Sequence, residues 1–214
     1  HRESRQGNAT RDRFSERPNL LADDLFTDIL REAQREKQLV CIFRDPSDLR
    51  RFAVGFVEAV SDADYTLQQI DPDGNPDGLD IGSIDDIIEI RKESRYARQI
   101  ALPMEKEEED QPKPAQGGNG KPNPESCLDA VLRRAMLEKL VGNSLRATGD
   151  DELRFYGIVR ELSDTHVRID VLSDDGEPDG TSVIRLDDIA GLQVNTRDER
   201  QVALFNRHRM HLYL

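Results

Sequence analysis

At 214 residues the chain is long enough for one large domain or two small ones. Hydrophobic residues make up 36% and charged residues 34%, with no Trp, a balance that suits small domains joined by solvated segments better than a single globule. The formal charge of −13 argues against a general, phosphate-driven nucleic-acid binder, whose affinity rests on Lys and Arg neutralising phosphates, and leaves room only for a local basic site.

No apolar run approaches the roughly 18 residues that a membrane helix needs, and no signal-peptide core is present, so a cytoplasmic protein without a membrane partner is expected. Cys41 and Cys127 are far apart and belong to no CxxC or Cys/His cluster. They read as buried thiols of a reducing compartment rather than as a disulfide or metal ligands.

Residues 1–18 are polar, somewhat basic and aperiodic, the composition of a disordered arm, with a basic arm that touches nucleic acid as the sharper alternative. A first domain follows over 19–104. Leu25, Phe26, Ile29, Leu30 and Ala33 recur at helical spacing, with Asp23 and Asp24 near the start, where acidic groups suit the helix dipole; the helix should end near Lys37. Leu39–Phe43 reads as a buried strand, and Phe52–Val60 and Tyr65–Ile70 as two more, with Ser61 to Asp64 turning between them. A longer turn spans Asp71 to Gly78. Strand signals return at Leu79–Ile84 and Ile87–Ile90, and a segment over Tyr96–Leu102 closes the unit.

Residues 105–125 are acidic and then rich in Pro, Gly and Asn, the composition of a flexible linker. A second domain is expected over 126–206, followed by a C-terminal tail at 207–214. It opens with a helix that Ser126 can cap, with Asp129 three residues on. Leu128, Val131, Leu132, Ala135, Met136 and Leu140 line one face, and Gly142 is placed to end it.

The two domains are copies. Laying Phe52 on Arg154 without gaps pairs Gly55 with Gly157, Ser61-Asp62 with Ser163-Asp164, and Asp73-Gly74 with Asp175-Gly176. It also pairs Pro76-Asp77-Gly78 with Pro178-Asp179-Gly180, Asp85-Asp86-Ile87 with Asp187-Asp188-Ile189, and Arg98-Gln99 with Arg200-Gln201. Roughly a third of about 50 positions match, and both copies follow a helix, so the domain is duplicated. One helix and about five short strands in such a length predict a mainly β fold of two tandem, five-stranded, strongly bent barrels, because closing each sheet removes its vulnerable edges. Gly55 and Gly157 suit the bend such a barrel requires.

The second copy resembles the Sm and Sm-like family, which has the SH3-like barrel. Gly157-Ile158-Val159 followed by Leu162 to Ile169 is similar to the family's first motif, a glycine-bent strand leading to an Asp–x–x–apolar–Asn turn. Ile184-Arg185-Leu186-Asp187-Asp188-Ile189 is similar to the second, apolar–Arg–Gly–x–Asn–apolar. The helix before Val40-Cys41-Ile42 resembles the bacterial Hfq branch, whose Lys-His pair neither copy carries. The resemblance implies single-stranded RNA as partner and a homo-oligomeric ring of tandem barrels, three chains giving six. A base stacks in that family between a side chain of the first turn and the Arg of the second motif, a grip suited to single strands.

Transferred by motif position, His166 and Arg185 are the stacking candidates, Arg168 and Asp188 stand where the family has Asn, Leu186 replaces the motif glycine, and Asp164 marks the first turn. Copy one has Asp64, Thr66, Ser83, Ile84 and Asp86 at the equivalent positions. The plainer readings are an exposed turn and strand face for His166 and Arg168, an ion pair for Arg185, and a tight turn for Asp187-Asp188. The Arg–x–x–Arg–Gln segments fit an RNA contact or an intersubunit one.

Asp71, Asp73, Asn75 and Asp77 alternate as in a calcium loop, but the glycine misses the sixth position and no Glu follows at the twelfth. His208 and His211 have ligand-like spacing without partners. With no catalytic triad, P-loop or GxGxxG arrangement, no enzyme, cofactor or metal is expected. Two functions stand level at this stage: an RNA-binding ring whose second domain carries the site, and an interaction or oligomerisation scaffold that has lost it.

Overall fold

The computed structural model describes residues 25–101, 126–148 and 151–212. The arm at 1–18, Asp23, Asp24 and the linker at 105–125 lie outside them. The first unit runs α1 (Leu25–Glu36), β1 (Leu39–Phe43), β2 (Phe52–Val60), β3 (Asp64–Ile70), β4 (Pro76–Ser83), β5 (Glu89–Lys92) and a helix α2 over 95–101. The second runs α3 (Cys127–Glu138), β6 (Val141–Thr148), β7 (Asp151–Leu162), β8 (His166–Leu172), β9 (Pro178–Arg185), a 3-10 turn (Leu186–Asp188), β10 (Ile189–Val194) and α4 (Arg197–Leu212).

The offset that lays Phe52 on Arg154 also carries α1 onto α3, β3 onto β8 and β4 onto β9 from end to end. It carries the left-handed residues Lys37 and Glu93 onto Lys139 and Asn195 as well. The closing segment Tyr96–Leu102 is helical in its described part, and α4 runs on to Leu212, into the stretch expected to be a tail.

The chain is mainly β, as expected, but its ten strands form one open antiparallel sheet in the order β5-β1-β2-β3-β4-β10-β6-β7-β8-β9. Two separately closed barrels are therefore not what the hydrogen bonding forms. The free side of β4 takes its partner from β10 of the other unit, where Leu192 lies opposite Ile81 and Val194 opposite Leu79. Each unit alone has the same internal order, with the strand after the fourth returning beside the first.

Local chemistry accounts for the boundaries. Ser126 caps α3, its hydroxyl accepting from the Asp129 N–H. The helix stops at Lys139, in the left-handed region, while the Leu140 N–H reaches back to the Ala135 carbonyl. Gly142, expected to end the helix, instead lies inside β6, opposite Gly157. The stop needs only a residue at φ 54, which Lys139 supplies three positions after Met136, the last residue of the helix to pack on the core. The last strand of the first unit begins at Glu89, later than the apolar run at Ile87 suggested, because Ile87 turns back onto the Ile84 carbonyl.

The Asp71 carboxylate accepts from the N–H groups of Asp73 and Asn75 and so shapes the β3–β4 turn; the Ser173 hydroxyl does the same work for Glu177 in the second unit. At Gly55 a Cβ would run into the Gln68 carbonyl oxygen, and just beyond it β2 is bulged between Val57 and Ala59. Helix α1 covers one face of the first unit, burying Leu30 and Ala33 against Val40, Ile42, Val57 and Leu67. Helix α2 covers the other, with Ala97 and Ile100 against Phe43, Val54 and Ile70.

Candidate interfaces for assembly and nucleic acid

Strand pairing brings the motif residues together. His166 lies directly opposite Arg185 across the β8–β9 ladder, and both are exposed. Arg168, two residues along the same face of β8, is tied to Glu161 at 2.7 Å. Arg185 makes no ion pair among the described residues. Asp164 sits in the β7–β8 turn, which the Ser163 hydroxyl holds by accepting from the His166 N–H. Asp188 closes the 3-10 turn after β9, and a bond from the Leu186 N–H to the Thr165 carbonyl joins the two turns. The Thr165 hydroxyl contacts the His166 ring at Nδ1, 2.8 Å away.

In the first unit the same strand position is used differently. Asp64, the repeat counterpart of His166, accepts from the N–H groups of Cys127 and Leu128 at 2.9 and 3.0 Å, at the start of α3. A carboxylate there satisfies two helix donors that have no partner within the helix and faces the positive end of its dipole. By motif position Asp64 stands where His166 does in the second copy; in the structure it is half of a joint between the units.

The rest of the joint follows from the β4–β10 pairing. Leu79 and Ile81 of the first unit pack in one core with Cys127, Val131, Leu132, Leu192 and Val194 of the second. Arg134 on α3 approaches Glu58 on β2 at 4.0 Å. Arg200 on α4 reaches Asp77 at 2.9 Å and the Asn195 carbonyl at 2.7 Å. A Cβ at Gly78, whose φ is +76°, would lie 2.5 Å from the backbone of Asn195 and Thr196. Of the two Arg–x–x–Arg–Gln segments, the second thus gives its latter Arg to contact between units.

A cavity of about 780 Å³ opens beside the joint, lined on one side by Arg44, Asp80 and Asp86 and on the other by Asn143 and Gln193. Arg44 pairs with the buried Asp80 at 2.7 Å. Burial raises the Asp86 carboxyl above its ordinary range, against the pull of Arg44. Burial likewise raises the Tyr65 hydroxyl, which has no hydrogen-bond partner among the described residues.

Both cysteines are free and buried. Cys127 is sealed in the joint, where burial pushes its thiol up to about 12. No group of three or more His, Cys, Asp or Glu among the described residues could hold a metal ion, and none of the described helices is long and apolar enough to cross a membrane.

Comparison with family models, curated proteins and solved structures returned no match. Asp64, Asp77 and Arg200 were within reach of sequence reasoning only as repeat positions whose charge could be compared between copies. Asp80 and Glu199, both buried, gave no signal, since each stands alone in an otherwise ordinary polar pattern.

Proposed function

We propose that the protein is a non-enzymatic assembly scaffold of two tandem Sm-like units that adds further copies head to tail through its sheet edges. The observation that carries this reading is the β4–β10 pairing. It leaves β9 and β5 as the two ends of the sheet, and these are the repeat counterparts of the strands already joined. The strand order within each unit, the helix before its first strand and the glycine-marked second strand support the family resemblance. A joint between two different edges is heterologous, so it propagates and ends only when the rotation closes a ring; three chains would give six units. Light scattering on the full chain at tens of micromolar, an order of magnitude suited to weak joints, should give a discrete oligomer. A monomer under those conditions would overturn the reading.

A second reading is favoured by the His166–Arg185 juxtaposition: a solvent-facing ring and an unpaired guanidinium across one ladder, with Arg168 beside them, suit one base of a single strand. Short U-rich and A-rich RNA titrated against wild type and His166→Ala/Arg185→Ala tests it. Binding unchanged by the double substitution, or no binding at low salt, would remove this site.

A further inference from the structure

The internal joint serves as a template for the sheet's two free ends, because the residues that make it have repeat counterparts on the β7–β8–β9 side or on the α1–β5–α2 side. Apolar contacts come first. Ile81 is 2% exposed in the joint, whereas its counterpart Val183 is 65% exposed on β9. Cys127 is 0% exposed, whereas its counterpart Leu25 at the start of α1 is 69% exposed. Gly78 is pressed against the backbone of Asn195 and Thr196, yet around Gly180, held at φ +86°, a Cβ would meet nothing within 4 Å. Glu93, counterpart of Asn195, already holds the same left-handed conformation. The free ends therefore carry part of the form of the joint without its partner, with Thr181 and Lys92 standing where Leu79 and Val194 pair.

The charges distinguish the two. Arg134 faces Glu58 in the internal joint; the counterparts are Glu32 on α1 and Arg160 on β7, the same pair with its signs exchanged. Asp64 offers α3 a carboxylate, whereas His166 offers an imidazole. Arg200 and Asp77 keep their signs as Arg98 and Asp179, both exposed. Glu32 now pairs with Lys92 at 2.8 Å and Arg160 with Asp170. Arg134 is no different, keeping Glu138 at 3.1 Å while it faces Glu58, so a partner within the unit does not preclude one across the joint.

Resting on the self-assembly reading, we infer that the occupant of the β9 edge is the α1–β5 side of a second copy, in the register Ile90 opposite Val183, and that the exchanged charges restrict joining to unlike units. Opening the internal joint to rejoin like units would set Glu58 against Glu32, or Arg160 against Arg134. Like charges placed together suppress wrong partners more than opposite ones strengthen right ones. Copies therefore add in strict alternation of first and second units.

The test uses the full chain. Glu32→Arg and Arg160→Glu, each checked for retained circular dichroism, should each raise the dissociation concentration about tenfold or more, and the double variant should recover most of the loss. Separately, Ile90→Cys/Val183→Cys should form an intermolecular disulfide under mild oxidation, because residues directly opposite in an antiparallel ladder lie about 4.5–5.5 Å apart at Cα. Neither single cysteine variant should cross-link. A monomeric wild type would sink the self-assembly reading itself. An oligomeric wild type with no cross-link in the double cysteine variant, or cross-linking by either single one, would overturn this interface alone. So would charge variants that associate as wild type does. The cross-link decides even where a charge variant fails to fold.

Discussion

Asp80 shows how one side chain comes to depend on its partner. It is 2% exposed and its carboxylate meets Arg44 at 2.7 Å, so removing either leaves the other as a poorly solvated charge. Breaking a buried pair costs about 3–5 kcal/mol when one partner remains, and the partial exposure of Arg44 puts Arg44→Ala above Asp80→Ala in harm, since it strands the more buried group. Urea unfolding of the two variants should show that order, and equal midpoints would contradict it. Glu199 poses a different problem. One carboxylate oxygen accepts from the Thr196 N–H at 2.7 Å and caps α4, while the other is buried without a partner among the described residues. Burial raises its pKa above the ordinary 4.5. The folded protein then binds more protons than the unfolded chain from about pH 4.5 upward, so this residue's contribution to stability is fully present below that value and is lost as pH rises through the raised pKa. Glu199→Gln should melt with a flatter pH dependence than wild type across that interval. Melting curves that stay parallel would show that Glu199 titrates as an ordinary carboxyl.

At the scale of the element, the two glycine-marked strands share the glycine and are not equally constrained by it. A side chain at Gly55 would strike the backbone oxygen of Gln68 at 2.0 Å, whereas one at Gly157 would first meet the Cγ2 methyl of Ile169, with the nearest backbone oxygen, of Asp170, farther off at 2.9 Å. Overpacking of this kind costs about 1–3 kcal/mol. Gly55→Ala should fall at the upper end and Gly157→Ala below it, as measured by denaturant midpoints; the reverse order would refute the backbone origin of the difference. Helix α3 shows the same divergence between copies. Its first N–H groups are satisfied by Asp64 of the preceding unit, so its start depends on a partner distant in sequence as well as on its own Ser126.

For the molecule as a whole, the shared core decides cooperativity. Leu79 and Ile81 share one core with Cys127, Val131, Leu132 and Leu192 of the second unit, and the sheet runs unbroken through both units. Neither unit can unfold without exposing the other's edge, so thermal unfolding should appear as a single transition by calorimetry and by circular dichroism. Two resolved transitions would mean that the joint contributes little and that the units are independent.

Much of this architecture was legible in the residues themselves. Helix α1 follows from Leu30 and Ala33 at helical spacing, the strands from runs such as Leu39–Phe43, and the duplication from matches as specific as Pro76-Asp77-Gly78 with Pro178-Asp179-Gly180. These are local patterns, and a repeat multiplies them. The juxtaposition of His166 and Arg185 was implied by the family resemblance, which sets both on one stacking site, and the β8–β9 ladder places them opposite each other. The course of the sheet at β4 is set instead by packing in three dimensions. An edge strand's backbone groups carry no sequence label, and whether they pair with β5 of their own unit or with β10 of the next depends on how two whole units pack. The same holds for Asp64 and Asp80, whose roles come from α3 and Arg44 approaching through space. The sequence by itself determined two copies of one β-rich unit; the packing of those units made them one open sheet with two unlike ends.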